Sequence, residues 1–140
     1  MLLSISCLLG CGTANQQVSG KVTLEDGTPL TLGEVIFALG DSEEYFAKGK
    51  IGSDGTYTLH EHVIGKESGK SGCKSGEFKV FIAGTSTHKT QENNEKKPEL
   101  IRTDIIDQNY TQRNKTPLKA TVPGGVYDFK IPPYKGKPQK

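Results

Sequence analysis

The sequence has few cysteines, no long hydrophobic run and little net charge, and each shortage excludes a class of protein. Cys7, Cys11 and Cys73 are too few for the disulfide framework of a small secreted domain or for a cysteine zinc site. The apolar stretch over residues 1–9 is far shorter than the roughly 20 residues of a transmembrane helix. A net charge of +2 is too small to indicate nucleic-acid binding.

The short apolar run ends in a recognisable processing pattern. Leu8-Leu9-Gly10-Cys11 matches the lipobox that closes bacterial lipoprotein signal peptides, and the chain becomes polar directly afterwards. We therefore expect residues 1–10 to be a signal peptide, Cys11 to be the acylated first residue of the mature protein, and residues 11–16 to be a tether. The expected location is the bacterial cell envelope, on a lipid bilayer reached through the palmitate-type acyl chains on Cys11.

One feature of the amino terminus departs from this pattern. Signal peptides begin with basic residues, and no Lys or Arg precedes Cys11, which predicts that the natural chain starts upstream of Met1. The alternative is a hydrophobic N-terminal strand, but glycines at positions 10 and 12 fit a processing site better than a strand. Gly12 is also not the Asp of an inner-membrane retention signal, so the outer membrane is the default expectation.

The rest of the chain has the pattern of one all-β domain. Removing residues 1–10 leaves about 130 residues, which suits a single domain, and the apolar residues recur at a period of two between Gly- and Pro-containing turns. We expect a β-sandwich, transthyretin-like or Ig-like, over residues 17–132. About seven short strands are expected, at residues 18–24, 35–39, 45–51, 56–60, 77–82, 118–122 and 127–131.

Two turns predict hairpins within this sandwich. Gly52-Ser53-Asp54-Gly55 is expected to pair residues 45–51 with residues 56–60, because an Asp-Gly pair readily adopts a hairpin turn. Pro123-Gly124-Gly125 is expected to pair residues 118–122 with residues 127–131.

Three polar stretches interrupt the pattern. Residues 62–76 are rich in Gly, Ser and Lys, and residues 84–99 have almost nothing to bury. Loops this long are either functional or disordered, and the composition favours disorder or a mobile flap. Any binding surface is nevertheless expected to use them, since loops gather at the ends of a sandwich. Residues 133–140 are expected to form a basic disordered tail, with contact to an anionic membrane as the alternative.

Strand and turn signatures across residues 17–131 are similar to those of a known family. They are VSGKVT at 18–23, DGTPL at 26–30, GEVIF at 33–37, SDGTYTL at 53–59, GEFKV at 76–80, IDQNY at 106–110, PLKATV at 117–122 and YDFKI at 127–131. Together they resemble the carboxypeptidase regulatory-like domain, a transthyretin-like (prealbumin-like) sandwich found in small bacterial lipoproteins. The resemblance implies an accessory or adhesive module, with no catalytic residues to transfer. The long loop before Phe78, which contains Cys73, departs from the family pattern.

A few side chains are candidates for chemistry. His60 and His62 lie on one face if their strand continues, and His88 could supply a third nitrogen to zinc; solvent-facing histidines are the favoured alternative. Cys73 lies in a Gly/Ser stretch that lacks the rigidity of a nucleophilic site. Asp41, Glu43 and Glu44 lack the spacing of a calcium loop, and a solvated acidic turn is favoured.

Two function classes follow. The favoured one is a non-catalytic envelope module that binds a protein or polysaccharide partner through residues 62–76 and 84–99. The alternative is a carrier or sensor of a small ligand or zinc, based on His60 and His62 and on fold analogy. No cofactor and no nucleic-acid partner are expected.

Overall fold

A computed structural model describes residues 15–40, 42–66, 69–92 and 97–137. The expected signal peptide and Cys11 lie outside these residues. The described chain contains one short 3₁₀ helix, Gln108–Thr111, and is otherwise built of strands. The strands are β1 (Ser19–Leu24), β2 (Glu34–Leu39), β3 (Tyr45–Lys50), β4 (Thr56–Thr58), β5 (His60–Val63), β6 (Gly76–Ala83), β7 (Ser86–Gln91), β8 (Glu99–Asp104), β9 (Lys119–Val122) and β10 (Phe129–Ile131).

The all-β prediction is confirmed, but the described residues form ten strands rather than about seven. Two differences account for this. The expected strand over residues 56–60 is divided at Leu59 into β4 and β5, which belong to different sheets. The polar stretch after β6 contributes two further strands, β7 and β8, which pair with each other.

Two sheets form the sandwich. One has three strands in the order β10-β1-β4, and the other has five in the order β5-β3-β2-β6-β9. Alternate side chains of both sheets fill the space between them, as the period-two pattern requires. Phe37 of β2 is fully buried, and its ring centroid lies 6.1 Å from that of Phe129 of β10. The aromatic contact therefore joins the inner faces of the two sheets.

Neither expected hairpin forms, although both turns are present. β3 pairs with β5 in the five-stranded sheet, whereas β4 pairs with β1 in the three-stranded sheet. Likewise β9 pairs with β6, whereas β10 runs parallel to β1. A turn signal predicts that the chain reverses, but both of these reversals carry the chain from one sheet to the other. A Cβ at Gly49 of β3 would collide with the backbone of Thr58, so a glycine is required where β3 and β4 cross.

Residues 62–76 are more ordered than their composition predicts. The backbone returns along the edge of β5, with Ser71 bridged to His60 and Cys73 bridged to Gln16. Cys73 itself has no exposed surface and belongs to the hydrophobic core. The prediction of a disordered loop is therefore wrong for the described residues of this stretch, because it closes one end of the sandwich.

The expected mobile flap over residues 84–99 is also wrong for the residues that the structure describes. Residues 86–91 pair in antiparallel register with residues 99–104, from Ser86 opposite Asp104 to Gln91 opposite Glu99. We call this two-stranded sheet the β7–β8 ribbon. Its side chains are mostly exposed, so it is held by its own ladder and its attachment rather than by burial.

The start of the expected basic tail is hydrogen-bonded beside the attachment of the ribbon. Pro133 is bridged to Ile106, and the Tyr134 amide donates a 2.9 Å hydrogen bond to the Ile105 carbonyl. Two residues of the predicted tail are thus paired with the segment that follows β8.

Candidate functional site

A buried carboxylate lies at the base of the β7–β8 ribbon. Asp104 ends β8 and is only 9% exposed. Its Oδ1 accepts a hydrogen bond from Arg102 Nε at 3.0 Å and lies 2.9 Å from Arg102 Nη2, while its Oδ2 accepts one from Gln108 Nε2 at 2.8 Å. A guanidinium that engages one carboxylate in this way is held in a defined orientation. Ile106, two residues after the end of β8, is fully buried in the core.

The other strand of the ribbon, β7, also begins at a buried residue. Thr85 precedes β7 and is buried, and its carbonyl accepts a 3.1 Å hydrogen bond from the Ile105 amide. Both strands therefore leave the sandwich from positions that are packed and hydrogen-bonded.

Beyond its base, the ribbon has two open edges. Within the residues that the structure describes, β7 pairs only with β8, and β8 only with β7. Each strand therefore presents a row of outward N–H and C=O groups that no described strand uses. Such edges accept an added strand from another chain, which supplies main-chain hydrogen bonds while alternate side chains supply specificity.

The two faces of the ribbon combine cationic and apolar side chains. On one face His88 lies opposite Arg102, and Thr90 lies opposite Leu100. Leu100 is 58% exposed and gives this face its apolar surface. The other face places Lys89 opposite Ile101. The surface is therefore suited to contact with another macromolecule, for which an apolar anchor and hydrogen-bonding groups are both needed.

The residues of β8 were not among the predicted strands. Residues 99–104 contain Leu100, Ile101 and Thr103, which favour a strand, but the polar residues before them concealed the pattern. Two β-prone segments could have indicated the ribbon from the sequence. One contains the threonines at 85, 87 and 90, and the other is residues 99–104.

His60 and His62 lie on β5, on the same face, as predicted. His60 is exposed and opposite Lys48, while the His62 ring lies 4.6 Å from the Phe46 ring, measured between centroids. The depression beside them, about 170 Å³ in volume, is lined by Lys48 and Lys50 and also by Glu34 and Glu61. Lys48 lies 3.5 Å from the Glu34 carboxylate, so the two lysines are balanced by two carboxylates and the depression has no net charge.

The third predicted nitrogen belongs to a different sheet, because His88 lies on the ribbon. Among the described residues, no three His, Cys, Asp or Glu side chains come together as metal ligands. Glu43 and Glu44 are exposed in the turn before β3, and Asp41 lies outside the described residues.

Cys73 is placed where a thiol is chemically inert. Burial raises the pKa of Cys73 to about 11, with a smaller contribution from the negative charge of Glu61. The thiolate is the nucleophilic form, so a cysteine with this pKa stays protonated and unreactive at neutral pH. Its position in the core gives it a packing role.

Comparison with known proteins does not identify the chain. No family model, no curated protein and no solved structure matches it. The resemblance to carboxypeptidase regulatory-like lipoproteins therefore stays a prediction. No described segment forms a helix with the length and hydrophobicity to cross a bilayer.

Proposed function

We propose that this protein is a lipoprotein of the bacterial cell envelope that acts as a non-catalytic binding module for a protein or polysaccharide partner. The observation that carries the proposal is the β7–β8 ribbon, which leaves the sandwich from a buried base and keeps both edges open. The acyl group on Cys11 would hold the module at a membrane, and the sandwich would present the ribbon away from it.

The ribbon supports a binding role because it contributes little to the core. No residue of its two strands between Thr87 and Gln91 or between Glu99 and Thr103 belongs to the hydrophobic core, yet the chain orders six residues in each strand. Ordering a residue costs roughly 1–2 kcal/mol of backbone entropy. A preformed arm of this kind reduces the entropy that is lost when a partner binds.

The anchor is tested by expressing the protein from its native locus. We expect the intact mass to include acyl chains on Cys11 and the protein to partition into detergent, and we expect Cys11→Ser to abolish both. A protein that stays soluble and retains residues 1–10 would contradict the anchor.

The binding role is tested by shortening the ribbon. Replacing residues 89–101 with Asn-Gly keeps His88 opposite Arg102 and the contacts of Asp104, and closes the strands with a turn that favours a hairpin. After solubilisation in mild detergent, the wild-type protein should migrate in a complex larger than one chain. The shortened variant should migrate as the single chain; an unchanged complex would show that the ribbon is not the contact.

A further inference from the structure

The outer face of the five-stranded sheet carries a groove that the ribbon does not involve. Three depressions, about 140, 420 and 380 Å³ in volume, follow one another across this face. The first and second share Glu43 and Arg113, and the second and third share Gly40 and Lys79, so each depression adjoins the next. We call this row of three depressions the basic groove; Phe46 and Phe81 line the first, and Lys119 lines the third.

Two lysines lie side by side in this groove. Lys79 of β6 is directly opposite Lys119 of β9 in the antiparallel register, and both are exposed. Like charges directly opposite each other destabilise a sheet. Neither lysine forms an ion pair with any residue that the structure describes. Repulsion between the two lysines lowers the stability of the ligand-free protein. An anionic ligand that contacts both ammonium groups would remove this repulsion.

Arg113 adds a third cation whose position is fixed. Its Nη2 donates hydrogen bonds to the carbonyls of Gly40 at 2.7 Å and Ser42 at 2.8 Å. These two bonds tie the guanidinium to the turn between β2 and β3, where it lines the groove. Its remaining N–H groups are available, and a guanidinium matches a carboxylate or phosphate in geometry.

The other end of the groove offers apolar surface. Phe46 and Phe81 are half-buried on the outer face, where they line the 140 Å³ depression with Ile36. Half-buried aromatic rings at the floor of a groove suit a ligand that has an apolar face of its own, as a sugar ring does.

Two carboxylates lie beside the cations. Glu43 and Glu77 line the same row of depressions as Lys79. A polyphosphate chain has no hydroxyl groups to donate to these carboxylates and no apolar ring to lie on Phe46 and Phe81. Hydroxyl groups of a sugar would instead donate hydrogen bonds to these carboxylates, since an ionised carboxylate is an acceptor only.

We propose that the basic groove binds an anionic polysaccharide, a polymer whose sugar rings carry carboxylate groups. Lys79, Lys119 and Arg113 pair with the acidic substituents, and the sugar rings lie on Phe46 and Phe81. This inference rests on the proposed function, because it names one class of partner for the binding module. That partner would bind a surface separate from the ribbon.

The test measures binding of polygalacturonate by the full chain carrying Cys11→Ser, so that an acyl group does not interfere. We expect binding that is absent with neutral dextran and at least about tenfold weaker in the Lys79→Gln, Lys119→Gln double variant. The matched control is Lys21→Gln, Lys130→Gln, which removes two charges from the three-stranded sheet and should bind as the unsubstituted protein does.

Folding and ligand class are controlled in the same experiment. The melting temperature of the Lys79→Gln, Lys119→Gln variant should be equal to or higher than that of the unsubstituted protein, because a like-charge pair is removed. Failure to bind polygalacturonate, or equal binding by the double variant, would overturn the proposal. So would tighter binding to polyphosphate or to phosphatidylglycerol vesicles. Because the ribbon-shortened variant retains the groove, it should still bind the polymer, which keeps this test separate from that of the proposed function.

Discussion

Tyr57 shows how a single buried polar group joins separate parts of the sandwich. It is 3% exposed on β4, and its hydroxyl donates a 2.6 Å hydrogen bond to the Tyr127 carbonyl, just before β10. Burial raises the pKa of Tyr57 well above its usual range, so the hydroxyl remains a donor. The bond spans 70 residues of sequence and connects the two edge strands of the three-stranded sheet.

Tyr57→Phe should lower the free energy of unfolding by about 1–3 kcal/mol, because the Tyr127 carbonyl loses its partner in a partly buried site. Urea denaturation measures the change. The matched control is Tyr134→Phe, whose hydroxyl has no partner among the described residues and whose loss should change stability little. Equal effects of the two substitutions would contradict the role given to this hydrogen bond.

Stability should also depend on pH in the alkaline range. Burial raises the pKa of Cys73 to about 11 from its ordinary 9.0, and that of Tyr45 to about 12 from 10.0. The folded state therefore holds these protons more tightly than the unfolded state does, and stability falls as the pH rises above the unfolded values.

We expect the free energy of unfolding to fall by about 1–3 kcal/mol between pH 9 and pH 11. Urea denaturation over this range measures the slope. Cys73→Ala removes one of the titrating groups, so its slope should be shallower. A stability that is constant up to pH 11, or a slope unchanged in the variant, would contradict the burial of this thiol.

Among the elements, the β7–β8 ribbon should fold and unfold with little effect on the sandwich. Of the residues removed when 89–101 are replaced with Asn-Gly, those that the structure describes contribute no side chain to the core, and the contacts of Asp104 remain. We expect the melting temperature to change by only a few degrees, roughly the effect of 1 kcal/mol in a domain of this size. Unfolding of the shortened variant would mean that the ribbon is part of the cooperative core.

The elements also show where sequence patterns suffice and where they do not. Period-two alternation located the strands whose buried residues line the core, such as Val80 and Ile82 on β6. It missed β8, because the apolar residues Leu100 and Ile101 are adjacent and lie on opposite faces of the strand. The apolar residues of this strand therefore do not recur at a period of two.

For the whole molecule, the assignment of strands to sheets was the part that sequence could not supply. Residues 52–55 and 123–125 were correctly predicted as turns, but each connects strands of opposite sheets. Local turn chemistry is the same in either case. Which sheet a strand joins depends on packing, because the two sheets must bury inner-face residues such as Phe37 and Phe129 against each other. Similarly, the opposition of Lys79 and Lys119 depends on register and is invisible in the sequence.

We expect that zinc will not stabilise the protein. Among the described residues no three metal-ligating side chains come together, and the third histidine lies on the ribbon. A zinc titration followed by thermal unfolding should leave the melting temperature unchanged in the wild-type protein and in the His60→Ala, His62→Ala variant. Stabilisation by zinc that disappears in the double variant would favour the metal-carrier alternative.

Site-specific photocrosslinking in the native host would show whether a partner contacts the ribbon. A photoreactive residue at Leu100 reports on the exposed face of the ribbon, and one at Lys130 reports on the three-stranded sheet. We predict a discrete adduct from position 100 and none from position 130. No adduct from position 100, or the same adduct from both positions, would contradict a partner contact at the ribbon.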